Sequence, residues 1–459
     1  ATTAPTGAMA KLRAPRIGIP TALSQVCTTD HYERLLHSYG KSFFDTVRAF
    51  ARDFSNPPDV IALPRNEQDV IDVVDWAHRS NAVVIPFGGG SSVCAGTEPP
   101  KNDARPVVML NLRHLDKVLE IDVTSHSARI QGGTFGPSLE NQLKPSGLTL
   151  RHFPQSFEFS ALGGWIATRG GGHYCTLYTH IDEFVQAIRT VTPKGIYESR
   201  RLPGSGAGPS PDRMMIGSEG ILGVITEAWM RLRKRPTFRA ATSVRFKDIY
   251  AAADAVRAIA QAHLYPANCR VLDAGEAWVN GAGDGSHAVV VLGFESADHP
   301  MEASMARALE ICSDHGGGYD KSALSKEDAH RGGASGQWRD SFLRMPYNRE
   351  ALVPRGIIVE TFESAITWDK FRNFHDSIMD ATKRAILEVT GREGIVTCRF
   401  THIYPDGPAP YFSFHALGKK GQMLEQCWQI KIAASEALMK AGGDPIAPAS
   451  PQPFTPSGL

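Results

Sequence analysis

V-V-I-P-F-G-G-G-S-S-V-C-A-G, residues 83 to 96, sets three glycines and two serines directly behind a short apolar run. A Walker loop needs G-x-x-x-x-G-K-[ST], and no lysine follows these glycines. A Rossmann fingerprint needs G-x-G-x-x-G opening a helix. Here Val93 stands where the third glycine belongs, and the S-V-C-A-G-T-E-P-P that follows cannot start a long helix. What remains is a nest of successive backbone N–H groups with two hydroxyls, suited to a pyrophosphate that the main chain must approach closely. The plain alternative is a glycine-rich turn, and the stretch alone weighs equally for both.

Working outward, Asn66 is placed to cap a helix in which Val70, Val73, Val74 and Ala77 repeat at amphipathic spacing. Strands are expected at 82–86 and 106–112, and a helical lead-in over 30–52. From 117 to 150 short alternating segments read as strands and turns, with a helix near G-P-S-L-E-N-Q-L-K. A strand over 184–193 closes at the turn Pro193-Lys194-Gly195, and the small-residue loop L-P-G-S-G-A-G-P-S-P-D leads to I-G-S-E-G-I-L-G-V-I-T-E-A at 216–228. Beyond 236, alanine-rich helices such as Y-A-A-A-D-A-V-R-A-I-A-Q-A alternate with strands such as A-V-V-V-L-G-F-E, which suggests a second α+β domain. The last sixteen residues hold five prolines and read as an extended tail.

The 459 residues ask for more than one core. With 49 basic and 48 acidic side chains the net charge is +1, which speaks against nucleic acid as a partner. No apolar run approaches the roughly 20 residues of a membrane span. Seven scattered cysteines without a C-x-x-C pair argue for a reducing compartment and against a structural zinc site. No import pattern is evident at the N-terminus and the C-terminal S-G-L departs from S-K-L, so a bacterial-type cytoplasmic setting is the simplest expectation.

Two further stretches share the character of the first. Residues 154–171, P-Q-S-F-E-F-S-A-L-G-G-W-I-A-T-R-G-G, and 217–225, G-S-E-G-I-L-G-V-I, add glycines, hydroxyls and an arginine. With V-T-P-K-G-I at 191–196, R-V-L-D at 270–273, E-T-F-E-S-A-I-T-W-D at 360–369, T-C-R at 397–399 and Y-P-D-G-P-A-P-Y-F-S-F at 404–414, they form a series running from about 35 to 440. This series resembles the vanillyl-alcohol-oxidase type of FAD-binding (PCMH-type) flavoproteins, and among them the alkyldihydroxyacetonephosphate (alkylglycerone-phosphate) synthases of ether-lipid synthesis.

The resemblance implies an α+β protein in which a two-subdomain PCMH-type FAD-binding domain, 57–235, follows a lead-in, 1–56. An α+β cap or substrate domain, 236–443, and the tail, 444–459, come after it. It implies noncovalent FAD, since no histidine stands in the glycine loop. The implied cofactor contacts are Pro86, Phe87, Gly88, Gly89, Gly90, Ser91 and Ser92 in the first block. In the second they are Pro154, Gln155, Ser156, Phe157, Glu158, Phe159, Ser160, Gly163, Gly164, Thr168, Arg169, Gly170 and Gly171. In the third they are Glu219, Gly220, Ile221, Leu222, Gly223, Val224 and Ile225. Ser91, Ser92 and Ser160 suit the pyrophosphate, and the L-G-V-I backbone can lie along a ring.

For the chemistry, the resemblance places Tyr411 at the proton donor and acceptor and Arg349 and Arg270 on the substrate side. A guanidinium fork suits a phosphate or carboxylate, and neighbouring cations would lower the phenol's pKa. The implied activity exchanges the acyl group of acyl-dihydroxyacetone phosphate for a long-chain alcohol through a flavin N5 adduct. The alternative is an FAD-dependent oxidoreductase acting on a hydroxy acid or alcohol. Either way the partner is a small molecule, with peripheral membrane contact and a homodimer as secondary expectations. His402 and His415 bracket Asp406 and could converge if 402–415 is a hairpin, but the spacing is no recognised ligand set and no metal is expected. The synthases carry three histidines and G-V-G after a helix ending in two glycines, whereas here Gly442-Gly443 runs into D-P-I-A-P.

Overall fold

The computed structural model describes residues 10–204, 206–320, 341, 344, 345 and 347–445, so the proline-rich tail beyond 445 lies outside the described residues. The chain divides into two compact units. Among the described residues the first takes everything up to Gly172 and His180–Arg235, and the second takes His173–Thr179 and everything from Pro236 onward.

The first unit opens with β1 (Cys27–Thr28), α1 (His31–Leu36) and α2 (Phe43–Phe50), which together fill the expected helical lead-in. Then come β2 (Val60–Ala62), α3 (Glu67–Arg79), β3 (Val83–Phe87) and β4 (Val107–Asn111). The Asn66 side chain accepts the Asp69 N–H, the cap its position predicts. Val70, Val73, Val74 and Ala77 of α3 are buried on a core shared with Val60, Ala62, Val108 and Leu110. The sheet order is β1-β2-β4-β3, with β2 and β3 both parallel to β4. The crossover through α3 thus aims the carboxyl end of β3, and the glycines behind it, out of the sheet.

β5 (Val118–Asp122), β6 (Ser127–Gln131), α4 (Gly136–Leu143), β7 (Leu148–Thr149) and α5 (Leu162–Ala167) follow. α6 (Cys175–Tyr178) leaves for the second unit before α7 (Ile181–Phe184), β8 (Val185–Thr192), β9 (Gly195–Glu198), α8 (Asp212–Met215), β10 (Val224–Arg231) and β11 (Arg233–Lys234) complete the first. The second sheet of this unit is antiparallel, in the order β5-β6-β10-β8-β9.

The second unit is one seven-stranded antiparallel sheet in the order β12-β14-β13-β16-β17-β15-β18. Its strands are β12 (Phe238–Phe246), β13 (Asn268–Leu272), β14 (Ala288–Ser296), β15 (Ile357–Ala365), β16 (Ile395–Ile403), β17 (Pro408–Leu417) and β18 (Asp444–Pro445). Its helices are α9 (Ile249–Gln261), α10 (Ala274–Val279), α11 (Glu302–Asp314), α12 (Phe371–Thr390) and α13 (Met423–Lys440). In α9 the alanine-rich face Ala252, Ala253, Ala255, Val256 and Ile259 is buried, as its spacing predicts. Phe371 of α12 packs edge-on to Phe400 of β16, ring centroids 4.9 Å apart. Arg399 alternates with Phe400 and therefore faces the other way, toward α10.

α6 ends at Thr179 with φ 62° and ψ −160°, a region that belongs almost wholly to glycine and is costly for a β-branched residue. Thr179→Gly is expected to stabilise the protein by about 1 kcal/mol. The relief of about 1–3 kcal/mol of strain exceeds glycine's entropic cost of about 0.5–1 kcal/mol. A lower denaturation midpoint for the variant would contradict the strain.

Candidate functional site

Backbone contacts bring the three glycine-rich blocks of the first unit together. A Cβ on Gly89 would lie 1.7 Å from the Phe159 carbonyl oxygen, so the loop behind β3 rests on the second block with no side chain between them. A Cβ on Gly220 would meet Pro86 Cγ at 3.0 Å, which joins the third block to the first. The third block also donates to the end of α5, from Gly217 N to Ile166 O at 3.1 Å and from Glu219 N to Ala167 O at 2.9 Å. Arg169 and Glu219 both hold positive φ, at 52° and 51°, so these turns are shaped against the preference of their own residues.

The electrostatic character of this rim suits an anion. No N–H from Gly88 to Ser92 has a hydrogen-bond partner among the described residues, and such a run of donors is the nest that a pyrophosphate fills. At Gly164 a Cβ would meet nothing within 4 Å, so the first turn of α5 faces open space beside the nest's neighbours. These observations fit FAD: the nest for the diphosphate, and the open face of the second and third blocks for its rings. Arg169 is turned to Asp182, 3.0 Å away, which Arg213 also holds. The Thr168 hydroxyl returns to Gly164 O at 2.9 Å.

Several expected contacts have structural work instead. Ser160 is buried; its hydroxyl donates to Ser156 O at 2.7 Å and accepts the Trp165 indole N–H at 2.6 Å, so it braces the second block rather than facing outward. Ser92 Oγ accepts the Gly96 N–H at 3.0 Å, and Ser91 is the hydroxyl of the loop left to a ligand. Across I-L-G-V-I, residues 221–225, the halves part company. Ile221 is 85% exposed and Leu222 is exposed, while Val224 and Ile225 enter β10 and the core. The side chains of Ile221 and Leu222 are therefore open to a ring, whereas Val224 and Ile225 offer one only their backbone.

In the second unit a polar row crosses the sheet. In register, Glu363 of β15 stands opposite Tyr411 of β17, and Tyr411 opposite Arg399 of β16. The Arg399 guanidinium lies over the Tyr411 ring, 4.0 Å from its centroid. Arg399 Nη1 donates to Glu276 Oε1 of α10 at 2.8 Å, and the Thr397 hydroxyl donates to the other Glu276 oxygen at 2.5 Å. Thr401 donates to Glu363. Arg270 of β13 is 2% exposed, with Nη2 3.5 Å from His173 O and 3.6 Å from Cys175 Sγ of α6. Burial lowers the Arg270 pKa, and the like charge of Arg399 adds to that, while Glu363 opposes it. Burial likewise raises Glu363, against the pull of Thr401, Arg399 and Arg270.

Arg349, on the helical segment 347–352, is placed with Glu360 at 3.6 Å, and Lys431 of α13 approaches the same carboxylate at 3.7 Å. Glu360 alternates with Glu363 on β15, so this ion cluster sits on the other face of the strand, although Arg349 still acts on Tyr411 electrostatically.

Two expectations are corrected. Burial pushes the Tyr411 phenol above its ordinary pKa; Arg399 and Arg349 offset only part of that rise, and Glu363 adds to it. The segment 402–415 does form a hairpin, but His402 pairs with Ala409 and His415 with Ile395, at opposite ends of it. Six residues of extended strand, about 20 Å, separate the two rows, so the histidines do not converge. Among the described residues no group of three His, Cys, Asp or Glu could hold a metal ion.

The sequence points to Tyr411, Arg270 and Arg349 but does not single out Arg399, Glu276 and Glu363. The signal was the polar alternation Thr397, Arg399, Thr401 in a strand whose other face is Cys398 and Phe400.

A family model described as FAD binding domain matches residues 58–199, and one described as FAD linked oxidases, C-terminal domain, matches residues 235–446. The chain is similar to an alkyldihydroxyacetonephosphate synthase of Dictyostelium discoideum, 31% identical over 445 residues covering 90% of this chain and 70% of that one. It is 28% identical to an alkyldihydroxyacetonephosphate synthase of Caenorhabditis elegans, over 89% of this chain and 72% of the other. Among solved structures, an alkyldihydroxyacetonephosphate synthase superposes with a TM-score of 0.84 at 27% identity, covering 96% of this chain and 84% of that one.

Proposed function

The chain belongs to the alkyldihydroxyacetonephosphate synthase family, and from that premise we propose how its own residues serve the exchange of the acyl group of acyl-dihydroxyacetone phosphate for a long-chain alcohol. It is an FAD-dependent enzyme. The observation that carries the reading is the row Glu363, Tyr411, Arg399: a part-buried phenol held between a carboxyl and a guanidinium, with the buried Arg270 on β13.

Arg270 and Arg349 bind and orient the anionic substrate, since a guanidinium fork matches phosphate oxygens. Tyr411 Oη takes up and returns the proton at the substrate carbon that trades acyloxy for alkoxy. Gly88 to Ser92 hold the diphosphate of FAD on backbone N–H groups, with Ser91 as a further donor. Thr168, Gly170, Gly171 and Glu219 to Leu222 supply the surface on which its rings lie. Bound FAD supplies a ring that accepts and returns an electron pair, so the exchange closes without net redox change. Residues 57–235 serve as the FAD-binding domain and 236–443 as the substrate domain, supported by the division between Arg235 and Pro236. No helix of the described residues is long and apolar enough to cross a membrane. Peripheral contact with lipid and a homodimer belong to this reading as proposals.

The test is anaerobic mixing of the flavin-loaded protein with acyl-dihydroxyacetone phosphate and a long-chain alcohol. Fatty acid release with ether formation, and oxidised flavin at the end, is the expected result. Bleaching of the flavin by a simple 2-hydroxy acid, with no exchange, would overturn it in favour of an oxidoreductase.

A further inference from the structure

The Arg399 guanidinium lies on the ring of the proton-carrying residue. Its placement is over-determined. Arg399 is directly opposite Tyr411 in the β16–β17 ladder, its side chain is 1% exposed, and its Nη1 is tied to Glu276 at 2.8 Å and lies 3.4 Å from Met345 Sδ. Glu276 is fixed in turn by Thr397. It also stands in the first turn of α10, whose cap Asp273 accepts the Glu276 N–H and the Cys398 N–H, each at 2.6 Å. A guanidinium so clamped is held over the phenol rather than left to reach for a ligand.

We propose that Arg399 is a positioning residue that sets how readily Tyr411 gives up its proton, with Glu276 and Thr397 serving as the clamp that keeps the cation on the ring. This rests on Tyr411 being the proton-transfer group of the reading above. The physical reason is that ionising a phenol spreads negative charge into its ring, and a cation over the ring face favours that state, the more so where water is excluded. The groups that act on Tyr411 divide into two camps. Burial and the Glu363 carboxyl from β15 oppose ionisation. Arg399 from β16, the Thr361 hydroxyl from β15 and Arg349 from the 347–352 segment favour it. Arg399 is the largest of the favouring causes, and Arg270 partly offsets the Glu363 carboxyl. Without Arg399 the carboxyl and the dry surroundings prevail.

Arg399 alone cannot be neutralised cleanly, because Glu276 would be left buried without its cation. The test therefore uses the flavin-loaded double variant Arg399→Met with Glu276→Gln, beside Arg399→Lys. A fluorotyrosine is placed at position 411, and its fluorine resonance is followed against pH. The double variant is expected to raise the ionisation midpoint by at least about one unit, a tenfold change in the equilibrium, while the lysine variant recovers part of the shift. The pH–rate profile should move the same way, with kcat lowered about tenfold near neutrality and KM little changed. An unmoved midpoint in a folded, yellow double variant overturns the proposal. The resonance does not depend on turnover: a shifted midpoint in a protein that performs no exchange would sustain the role of Arg399 and sink the functional reading instead.

Discussion

Tyr411→Phe is expected to leave a folded, yellow protein whose exchange activity is lower by about two to four orders of magnitude, the range assigned to a positioned acid or base. The substitution removes one oxygen and little else. The phenyl ring fills the same volume, keeps the Arg399 guanidinium above it and preserves the ladder with Glu363 and Arg399 on either side. No cavity opens and no charge is orphaned. Any large fall in turnover therefore reports the hydroxyl and not the fold. Flavin absorbance and the thermal midpoint serve as controls, and both should match the wild type. A variant within about threefold of wild-type exchange would remove Tyr411 from the chemistry, since that residue effect is far below the general acid–base range. The role would then pass to Glu363, the other group in the row whose burial favours carrying a proton.

The first unit could be read from its sequence because its determinants are local. The Asn66 cap, the α3 stripe and the strand before the glycines each lie within a dozen or so residues of chain, and each is found where that pattern puts it. The glycine blocks were legible for the same reason. What they could not reveal was the division of labour inside them. Whether Ser160 faces a ligand or braces Trp165 depends on the turn that α5 makes after it, and nothing in F-S-A-L-G-G-W fixes that direction. The second unit was harder because its row is assembled by register across strands far apart in sequence. Arg399 and Glu276 are 123 residues apart, and Thr401 and Glu363 are 38 apart. The segment E-T-F-E-S shows an alternating strand, but only the β15–β17 pairing tells that Glu363 meets Tyr411 while Glu360 turns to Arg349 and Lys431. The segment His173–Thr179 lay hidden altogether. It falls between two stretches of the first unit yet belongs to the second, where Cys175 meets Arg270 and the Tyr178 hydroxyl donates to Glu295 at 3.0 Å. A seven-residue segment is too short to carry a periodicity that could announce such a destination.

Gly89→Ala is expected to yield a protein that does not retain FAD and is less stable by about 3 kcal/mol or more, at or beyond the upper end of overpacking costs. The added methyl would sit 1.7 Å from Phe159 O and 2.6 Å from its carbonyl carbon. Both are backbone atoms, so no rotamer change clears them, and the loop behind β3 must lift off the second block. Gly88 offers the contrast within the same run: its Cβ would crowd only the Ala161 methyl, at 3.1 Å, with the Ala161 nitrogen at an ordinary 3.9 Å, and a shift of a few tenths of an ångström removes the clash. Gly88→Ala should therefore stay yellow at a cost of about 1 kcal/mol. The pair separates two reasons for glycine. Were the run there only so that a diphosphate could approach, both substitutions would weaken FAD binding and neither would disturb the apoprotein. If Gly89 is the point where two blocks touch, its variant must lose stability with or without cofactor, and flavin loss follows from the displaced N–H nest. Denaturation of the two apoproteins decides between them: equal midpoints would mean that the close approach to Phe159 is not what holds the loop in place.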